Sequence, residues 1–473
     1  MQDAKAQGSY ADLLKRIEAL ESRPTGNINA PKIRGLKLGF SIRHRFELRT
    51  DPNGNEAAPD SDFTLQRTRI YLDADVNKNI RGYVKLQDVR TFGAEQSTVG
   101  NLARVDLLEG YVDLRNLGDL NPLLKNINVR VGRWQWFYGE HRLIGHLNWA
   151  NESRSYDGAR IRYDNKKNIW VDFFAANISE DQTGGVSGEG SGAIPAPGAG
   201  VNRDELFWGA YGHFEVTKGI AIEPYEIIRQ RSRDANPPFR SAGAIAGEQR
   251  YTSGARIKGK KIPWLPGVDF TFEQAWQHGR VEFITNRSQR IQAFAGAWGG
   301  GYTFNNVPWK PRIGYDYVMA SGDKRPGAGA AKTFSQLYPT GHARLGYIDF
   351  HGWQNIRDHQ IHLAVKPTKK LLMKVDFHIF EADEDRDAWF TVGGGAPGVR
   401  LAAPDPGGGF DGDYGEEIDI TVKYKLFKNF TVVGGYSHYF IDDAIENIVA
   451  RNTGSTTNDD DTDWFYLMTI MKF

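Results

Sequence analysis

Hydrophobic and polar residues alternate along most of this chain, beginning at Lys37. Leu38 and Phe40 fall on one parity, and Ser41 and Arg43 fall on the other. A period of two places successive side chains on opposite faces of a β-strand. The first alternating segment spans residues 37–49, which is long enough to cross a bilayer at a tilt.

The same pattern recurs and predicts eighteen strands, an even number. The expected ranges are 37–49, 63–76, 80–92, 104–115, 126–137, 156–164, 168–178, 205–216, 219–231, 248–259, 267–278, 290–303, 310–320, 354–366, 369–382, 414–426, 429–441 and 462–473. The predicted fold is all-β, an 18-stranded antiparallel transmembrane β-barrel over residues 31–473, preceded by a short N-terminal helix.

The connections between these strands alternate in length. Turns at 77–79, 164–167, 217–218 and 367–368 are short, whereas the segments at 50–62, 138–155, 179–204, 232–247, 321–353, 383–413 and 442–461 are long and rich in Gly, Pro, Asp and Asn. Bacterial outer-membrane barrels have short periplasmic turns and long external loops. The alternation of lengths therefore predicts an up-and-down barrel in that membrane.

Two features near the strand ends indicate the same environment. The last strand alternates and ends on Phe473, which resembles the C-terminal assembly signal of outer-membrane barrels. Aromatic residues favour the level of the lipid head groups. Girdles at that level are expected to contain Trp134, Trp136, Trp149, Trp264 and Trp309.

The first thirty residues follow a different period. Tyr10, Leu13, Ile17 and Leu20 are spaced by three and four residues, which is the a/d pattern of a short coiled coil. Residues 1–30 are therefore expected to form a periplasmic helix, at about 10–23, and a linker, and the four apolar residues are candidates for holding a homotrimer together. The alternative is an amphipathic helix lying on the barrel, because two heptads are marginal alone.

Composition excludes several other classes. The chain has 473 residues, no cysteine, and 59 basic against 58 acidic side chains. A formal charge of +1 without a long basic run argues against nucleic-acid binding. No stretch reaches the roughly 18–20 apolar residues of a membrane-spanning helix. The lack of cysteine suits a chain that crosses an oxidising compartment.

Several blocks of the chain form an ordered pattern along the barrel. They are QDVR at 87–90, EGYVDL at 109–114, GRWQ at 132–135, YGEHRLIG at 138–145, RSYDGAR at 154–160, SGD at 321–323 and TFSQLYPTGH at 333–342. In their order and number these blocks resemble the alginate export family of bacterial outer-membrane channels. The resemblance implies an eighteen-stranded barrel. In the alginate exporter a long periplasmic turn between strands sixteen and seventeen plugs the pore, whereas here that turn is only residues 427–429. The N-terminal helix is more similar to that of phosphate- and polyphosphate-selective porins, which are trimers.

If the apolar parity faces lipid, the charged residues of the other parity are candidates for lining the pore. The cationic candidates are Arg43, Arg45, Arg67, Arg69, Lys85, Arg130, Arg160, Arg162, Arg256, Lys258 and Lys374, and the anionic ones are Glu47, Asp73, Asp75, Glu109, Asp113, Asp376 and Asp419. Arginine rings suit anion pores, and the resemblance implies attraction for a uronate polymer. The alternative is that these charges pair across strands and only hydrate the wall. Arg133 is ambiguous, because a bulge at Gly132 would change its face.

The loops carry no complete catalytic or metal signature. Asp383, Asp385 and Asp387 have the first spacings of a calcium loop, but Ala388 and Gly394 occupy positions that need glycine and glutamate. Binding of Ca²⁺ by the Asp clusters at 383–387, 411–413 or 459–461 stays open. The sequence has no His-Glu-x-x-His and no Gly-x-Ser-x-Gly. We therefore expect no cofactor, no resident metal and no enzymatic activity.

These features together predict a passive porin in the bacterial outer membrane. Its expected surroundings are outer-membrane lipid and lipopolysaccharide, and its expected solutes are small or polymeric anions. A dedicated exporter of an anionic polysaccharide such as alginate is the alternative, and a structural barrel that tethers the envelope is a second. Because the plugging turn is missing, the pore is expected to be open at rest.

Overall fold

The structure is a computed structural model that describes residues 35–50, 60–93, 105–178, 205–231, 245–283, 287–342, 344–394, 412–453 and 461–473. The helix expected at residues 10–23, with its four apolar positions, lies outside the described residues. No helix in the described ranges is both long enough and apolar enough to cross a membrane.

Eighteen antiparallel strands form one closed sheet. They are β1 (Gly35–Arg49), β2 (Ser61–Asp75), β3 (Ile80–Thr91), β4 (Asp106–Leu114), β5 (Ile127–Trp134), β6 (Tyr156–Asp164), β7 (Ile169–Asn177), β8 (Glu205–Thr217), β9 (Ile220–Arg231), β10 (Ile245–Lys260), β11 (Val268–Phe283), β12 (Ser288–Thr303), β13 (Arg312–Ala320), β14 (Ile356–Val365), β15 (Leu371–Glu381), β16 (Asp413–Phe427), β17 (Phe430–Ile441) and β18 (Thr462–Lys472). Each strand pairs with its neighbours in sequence, and β1 pairs with β18. The predicted 18-stranded barrel is confirmed.

The two faces of the wall differ as the alternation requires. On β1, Phe46 and Leu48 are exposed on the outside, while Arg45 and Glu47, which alternate with them, are buried on the inside. The apolar outer surface suits contact with lipid. Both described chain ends of the barrel lie on the short-turn side, because Phe473 donates its backbone N–H to the carbonyl of Phe40 near the start of β1.

Three of the five tryptophans expected in girdles lie inside the barrel. Trp134 shares the inward parity of β5, and Trp136 and Trp149 belong to the connection that follows and folds into the lumen. Trp264 and Trp309 are in short turns and are exposed. A tryptophan near a strand end therefore reaches the lipid head groups only if its side chain faces outward and its loop does not fold into the lumen.

A helix was not expected between β17 and β18, yet α1 (Asp443–Thr453) occupies much of that connection. Ala444, Ile445 and Ile448 form its buried stripe, a spacing typical of an amphipathic helix. Asp443 lies in the first turn, where a negative charge stabilises the helix dipole. The segment is therefore not the irregular loop that its polar composition suggested.

Candidate functional site

The connection between β5 and β6, residues 135–155, crosses the lumen. Tyr138 stacks on Tyr211 of β8, with ring centroids 4.3 Å apart. Trp149 packs edge-on against Trp464 of β18, at 5.7 Å. Because β8 and β18 lie on nearly opposite sides of the eighteen-stranded ring, this segment must run through the interior. We call it the first inward loop.

The connection between β13 and β14, residues 321–355, enters the lumen beside it and is called the second inward loop. The two loops form a parallel bridge between Ile144 and Tyr338. The N–H of Tyr338 donates to the carbonyl of Leu143 at 2.9 Å, and the N–H of Gly145 donates to the carbonyl of Tyr338 at 2.8 Å. These bonds join the loops into one platform inside the barrel.

Glu417 of β16 holds the second inward loop against the wall. Its carboxylate accepts the N–H groups of Tyr347 and Ile348 at 2.6 and 2.8 Å. Gly346 has a φ of 81°, and a Cβ at this position would collide with the Glu417 carboxylate. Glycine is therefore needed for this close approach.

Four of the predicted cations anchor the first inward loop. Arg43 and Arg67 each donate to the carbonyl of Asn148 at 3.0 Å, and Arg45 donates to the carbonyl of Trp149 at 2.7 Å. The Arg45 guanidinium also lies 4.0 Å from the Trp149 ring centroid. A buried guanidinium must find acceptors, and here the loop carbonyls supply them.

Arg69 and Glu47 complete this anchor. Arg69 donates to the hydroxyl of Ser153 at 2.7 Å and to Gln87, and Glu47 pairs with Arg45 at 2.6 Å. The four arginines are only 3% to 8% exposed. Their side chains face the interior as expected, but they lie behind the loop instead of in open water.

The candidates on β2 to β5 form ion pairs across neighbouring strands. Asp73 and Asp113 pair with Arg81 at 2.7 and 2.8 Å, Asp113 also pairs with Arg130 at 2.6 Å, Asp75 pairs with Arg115 at 2.5 Å, and Lys85 pairs with Glu109. This is the arrangement that the alternative interpretation described. These charges hydrate and brace the wall with little net field in the lumen.

The candidates on β6 and β10 are paired as well. Arg162 contacts Asp172 at 2.6 Å with Arg160 at 3.9 Å from the same carboxylate, while Arg256 and Lys258 contact Glu223 at 2.5 and 2.8 Å. Arg256 also reaches Glu140 of the first inward loop at 3.0 Å. Burial raises the pKa of Glu140, but Arg344 and Arg256 outweigh it and leave that pKa below its ordinary value.

A cavity of about 220 Å³ lies between the inward loops and the wall of β13 to β16. Its polar lining consists of Arg142, Arg312, Asp316, Arg344, Tyr347, Gln360, His362, Lys374, Asp376, His378 and Asp419. Most of its charges are neutralised by a partner: Lys374 pairs with Asp376 at 2.8 Å, Arg312 with Asp269 at 2.6 Å, and Arg344 with Glu140 at 2.8 Å. This cavity brings together the predicted residues Lys374, Asp376 and Asp419.

Arg142, from the first inward loop, is the exception among the cations of this cavity. It is 5% exposed, its Nε has no hydrogen-bond partner, and no carboxylate of the described residues lies within ion-pair distance of it. The Trp353 ring centroid lies 5.8 Å from its guanidinium carbon. Burial lowers the pKa of Arg142, yet arginine stays protonated in proteins. An unpaired cation therefore borders the open space.

Sequence reasoning selected neither Arg142 nor Arg344. Both lie in segments that were treated as external loops, and no period of two marks their orientation. For Arg142, the block at 138–145 that resembles the alginate export family was the available signal. A long loop whose sequence matches the pattern of a family is a candidate for lining the pore.

The structure shows the contacts of Arg133 and of two aspartates in the cluster at 383–387, while residues 411 and 459–460 of the other Asp clusters lie outside the described residues. Arg133 points outward and pairs with Asp157 at 2.6 Å, and β5 pairs with both neighbours without a register shift at Gly132. Asp383 accepts the N–H of Gly322, while Asp387 accepts the hydroxyl of Thr333. Within the described ranges, no three potential ligands converge to hold a metal ion.

Comparison with known families defines the relationship. A family model described as Alginate export matches residues 34–458. The chain belongs to the alginate export family. No curated protein matches it significantly. In this alginate export family barrel the β16–β17 turn is short, because Phe427 already pairs with Phe430, and the lumen is occupied from the opposite end by the two inward loops.

Solved structures with the same architecture are outer-membrane barrels. OccAB2 of Acinetobacter baumannii has a TM-score of 0.57 at 10% identity, with 94% of this chain and 99% of that chain covered. OccAB1 of the same organism has a TM-score of 0.54 at 15% identity, with 94% of this chain and 99% of that chain covered. OccD3 (OpdP) of Pseudomonas aeruginosa has a TM-score of 0.53 at 11% identity, with 93% of this chain and 92% of that chain covered. At these identities the likeness shows the fold alone. Family and fold together make this protein an outer-membrane barrel of the porin type.

Proposed function

We propose that this protein is a passive channel that prefers small hydrophilic anions and carries out no catalysis. The observation that carries the proposal is Arg142, an unpaired cation that borders the cavity beside the inward loops. The paired charges around it contribute little net field. An anion that enters this cavity therefore meets one positive charge without a carboxylate partner.

The size of this effect follows from Coulomb's law. At about 8 Å, and with an effective dielectric of about 20 to 40 for a wet lumen, one unit charge contributes roughly 1–2 kcal/mol. That energy raises the local concentration of a monovalent anion by a factor of roughly 5 to 30 and lowers that of a monovalent cation by the same factor. The charge of a single residue is enough to set the sign of selectivity.

The test is a reversal potential in a planar bilayer under a potassium chloride gradient. We expect chloride preference in the native channel, and a loss of most of that preference in Arg142→Gln. The control is Arg287→Gln, which removes the same charge from an exposed position in the β11–β12 connection and should leave selectivity unchanged. Cation preference in the native channel, or equal effects of both variants, would contradict the proposal.

A second candidate is a gated exporter of an anionic polysaccharide. It is favoured by the match to the alginate export family and by the two loops that fill the lumen. The single-channel conductance of the native protein separates the candidates. Steady conductance in salt supports the porin, whereas a channel that stays closed until the first inward loop is released supports the exporter.

A further inference from the structure

The hairpin of β11 and β12 extends beyond the end of β13, on the side of the barrel that has the long loops. Its strands have sixteen residues each and are joined through residues 284–287, while β13 pairs with β12 only as far as Ala295. The outward cross-strand pairs follow a fixed order away from the membrane: Trp276 with Phe294, then His278 with Gln292, then Arg280 with Arg290.

Arg280 and Arg290 therefore face each other directly on the outer surface. Both are exposed, and within the described part of the chain neither has an ion pair or a side-chain hydrogen bond. Like charges at directly opposed positions of an antiparallel pair are destabilising. Glu282, one position farther from the membrane, has an interaction of its own. An anion that bridges the two guanidinium groups would remove this repulsion.

The surroundings of the pair suit the head group of a lipid. Gln249 on β10 lies opposite Arg280 and adds uncharged hydrogen-bonding groups. His278 stacks on Tyr251 at 5.0 Å. On the membrane side, Trp276 and Phe294 are 55% and 44% exposed. Exposed aromatic residues of outer-membrane barrels favour the boundary between acyl chains and head groups.

We propose that Arg280 and Arg290 bind a phosphate on the sugar head group of lipopolysaccharide in the outer leaflet. The long loops of such barrels face the exterior, so this hairpin meets the leaflet that contains the phosphorylated glycolipid. Arginine binds phosphate through parallel N–H groups. The acyl chains then lie against Trp276 and Phe294. Since these side chains point away from the lumen, the site is independent of the proposed anion path.

The test is native mass measurement of the detergent-solubilised protein, titrated with bisphosphorylated lipid A in the presence of EDTA. EDTA removes divalent ions that bridge phosphate to carboxylates. We expect the native protein to form a lipid-bound species. The affinity of the protein for lipid A should fall by about tenfold or more in Arg280→Gln/Arg290→Gln, because two charge-assisted contacts are lost. The control is Lys369→Gln/Lys370→Gln, which removes two exposed charges from the β14–β15 turn at the opposite end.

Three results would overturn the proposal. They are unchanged lipid A affinity in the double arginine variant, equal binding of a dephosphorylated lipid A, and displacement of the lipid by millimolar inorganic phosphate, which would indicate a site for the free anion. Both arginines are exposed, so the variant should fold. Heat-modifiable migration on a gel confirms folding before each titration.

Discussion

The anchor of the first inward loop offers a quantitative test of how this barrel keeps its lumen filled. Arg43 and Arg67 donate to the carbonyls of Asn148 and Ala150 at 3.0 to 3.2 Å. The double variant Arg43→Met/Arg67→Met removes all four contacts and leaves two carbonyls that lack these donors. A hydrogen bond to a charged group contributes about 1.5–3 kcal/mol.

Two opposing effects set the free energy by which the double variant is expected to weaken the attachment of the loop. Arg43 and Arg67 are directly paired on β1 and β2, so their removal also relieves repulsion between like charges. We therefore take the lower value for each carbonyl, about 3 kcal/mol in total. This corresponds to a rise of roughly 100-fold in the population of the detached loop, since 1.4 kcal/mol is a factor of ten.

Thiol reactivity measures that population. The chain contains no cysteine, so Ala150→Cys provides a single thiol on the loop while keeping the carbonyl. The rate of modification by a charged thiol reagent should rise about 100-fold in the double variant when opening precedes modification. Arg312→Met, on the inner wall and paired with Asp269, is the control and should leave the rate unchanged. An unchanged rate in a correctly folded double variant would refute the anchor.

Two further predictions concern the second inward loop and the N-terminal segment. Burial raises the pKa of Asp387 to about 6, although the hydrogen bond from Thr333 favours the ionised form. The packing around this carboxyl should therefore be most stable below about pH 4 and lose stability as the pH rises through 6. Intrinsic-rate-corrected amide exchange at 321–334 should accelerate between about pH 5 and 7, and Asp387→Asn should abolish that change. The pattern of Tyr10, Leu13, Ile17 and Leu20 predicts a homotrimer, and deletion of residues 1–26 should yield a monomer in native mass measurement, whereas the same oligomer in both proteins would contradict a role for the helix.

The filled lumen changes how the channel is expected to work. The sequence indicated an open pore, because the β16–β17 turn is too short to plug it. The structure shows a different occupant, since two loops enter from the opposite end and bond to each other at Ile144 and Tyr338. Conduction must then follow the space that these loops leave, which places the residues of the loops, rather than the wall arginines, next to the solute.

The amino-acid pattern by itself determined the barrel and the facing of its wall. Lipid on one side and polar groups on the other impose a period of two on every strand, so alternation predicted eighteen strands and an inward side chain for residues such as Arg43 and Lys374. The short turn after Phe427 was also predictable from the sequence, because it lies between two segments with a clear alternation of polar and apolar residues. These features depend on neighbours in sequence and on the membrane.

Only the tertiary structure decided which of those charges meet water. The alternating pattern shows which side of the wall a residue faces, but not what covers that residue. Arg43, for example, is covered by Asn148, a residue 105 positions away. Loops have no period, so the alternation of residues could not predict the inward path of residues 135–155 or the place of Arg142. The packing of these loops inside the barrel depends on contacts between distant segments, which a local pattern does not encode.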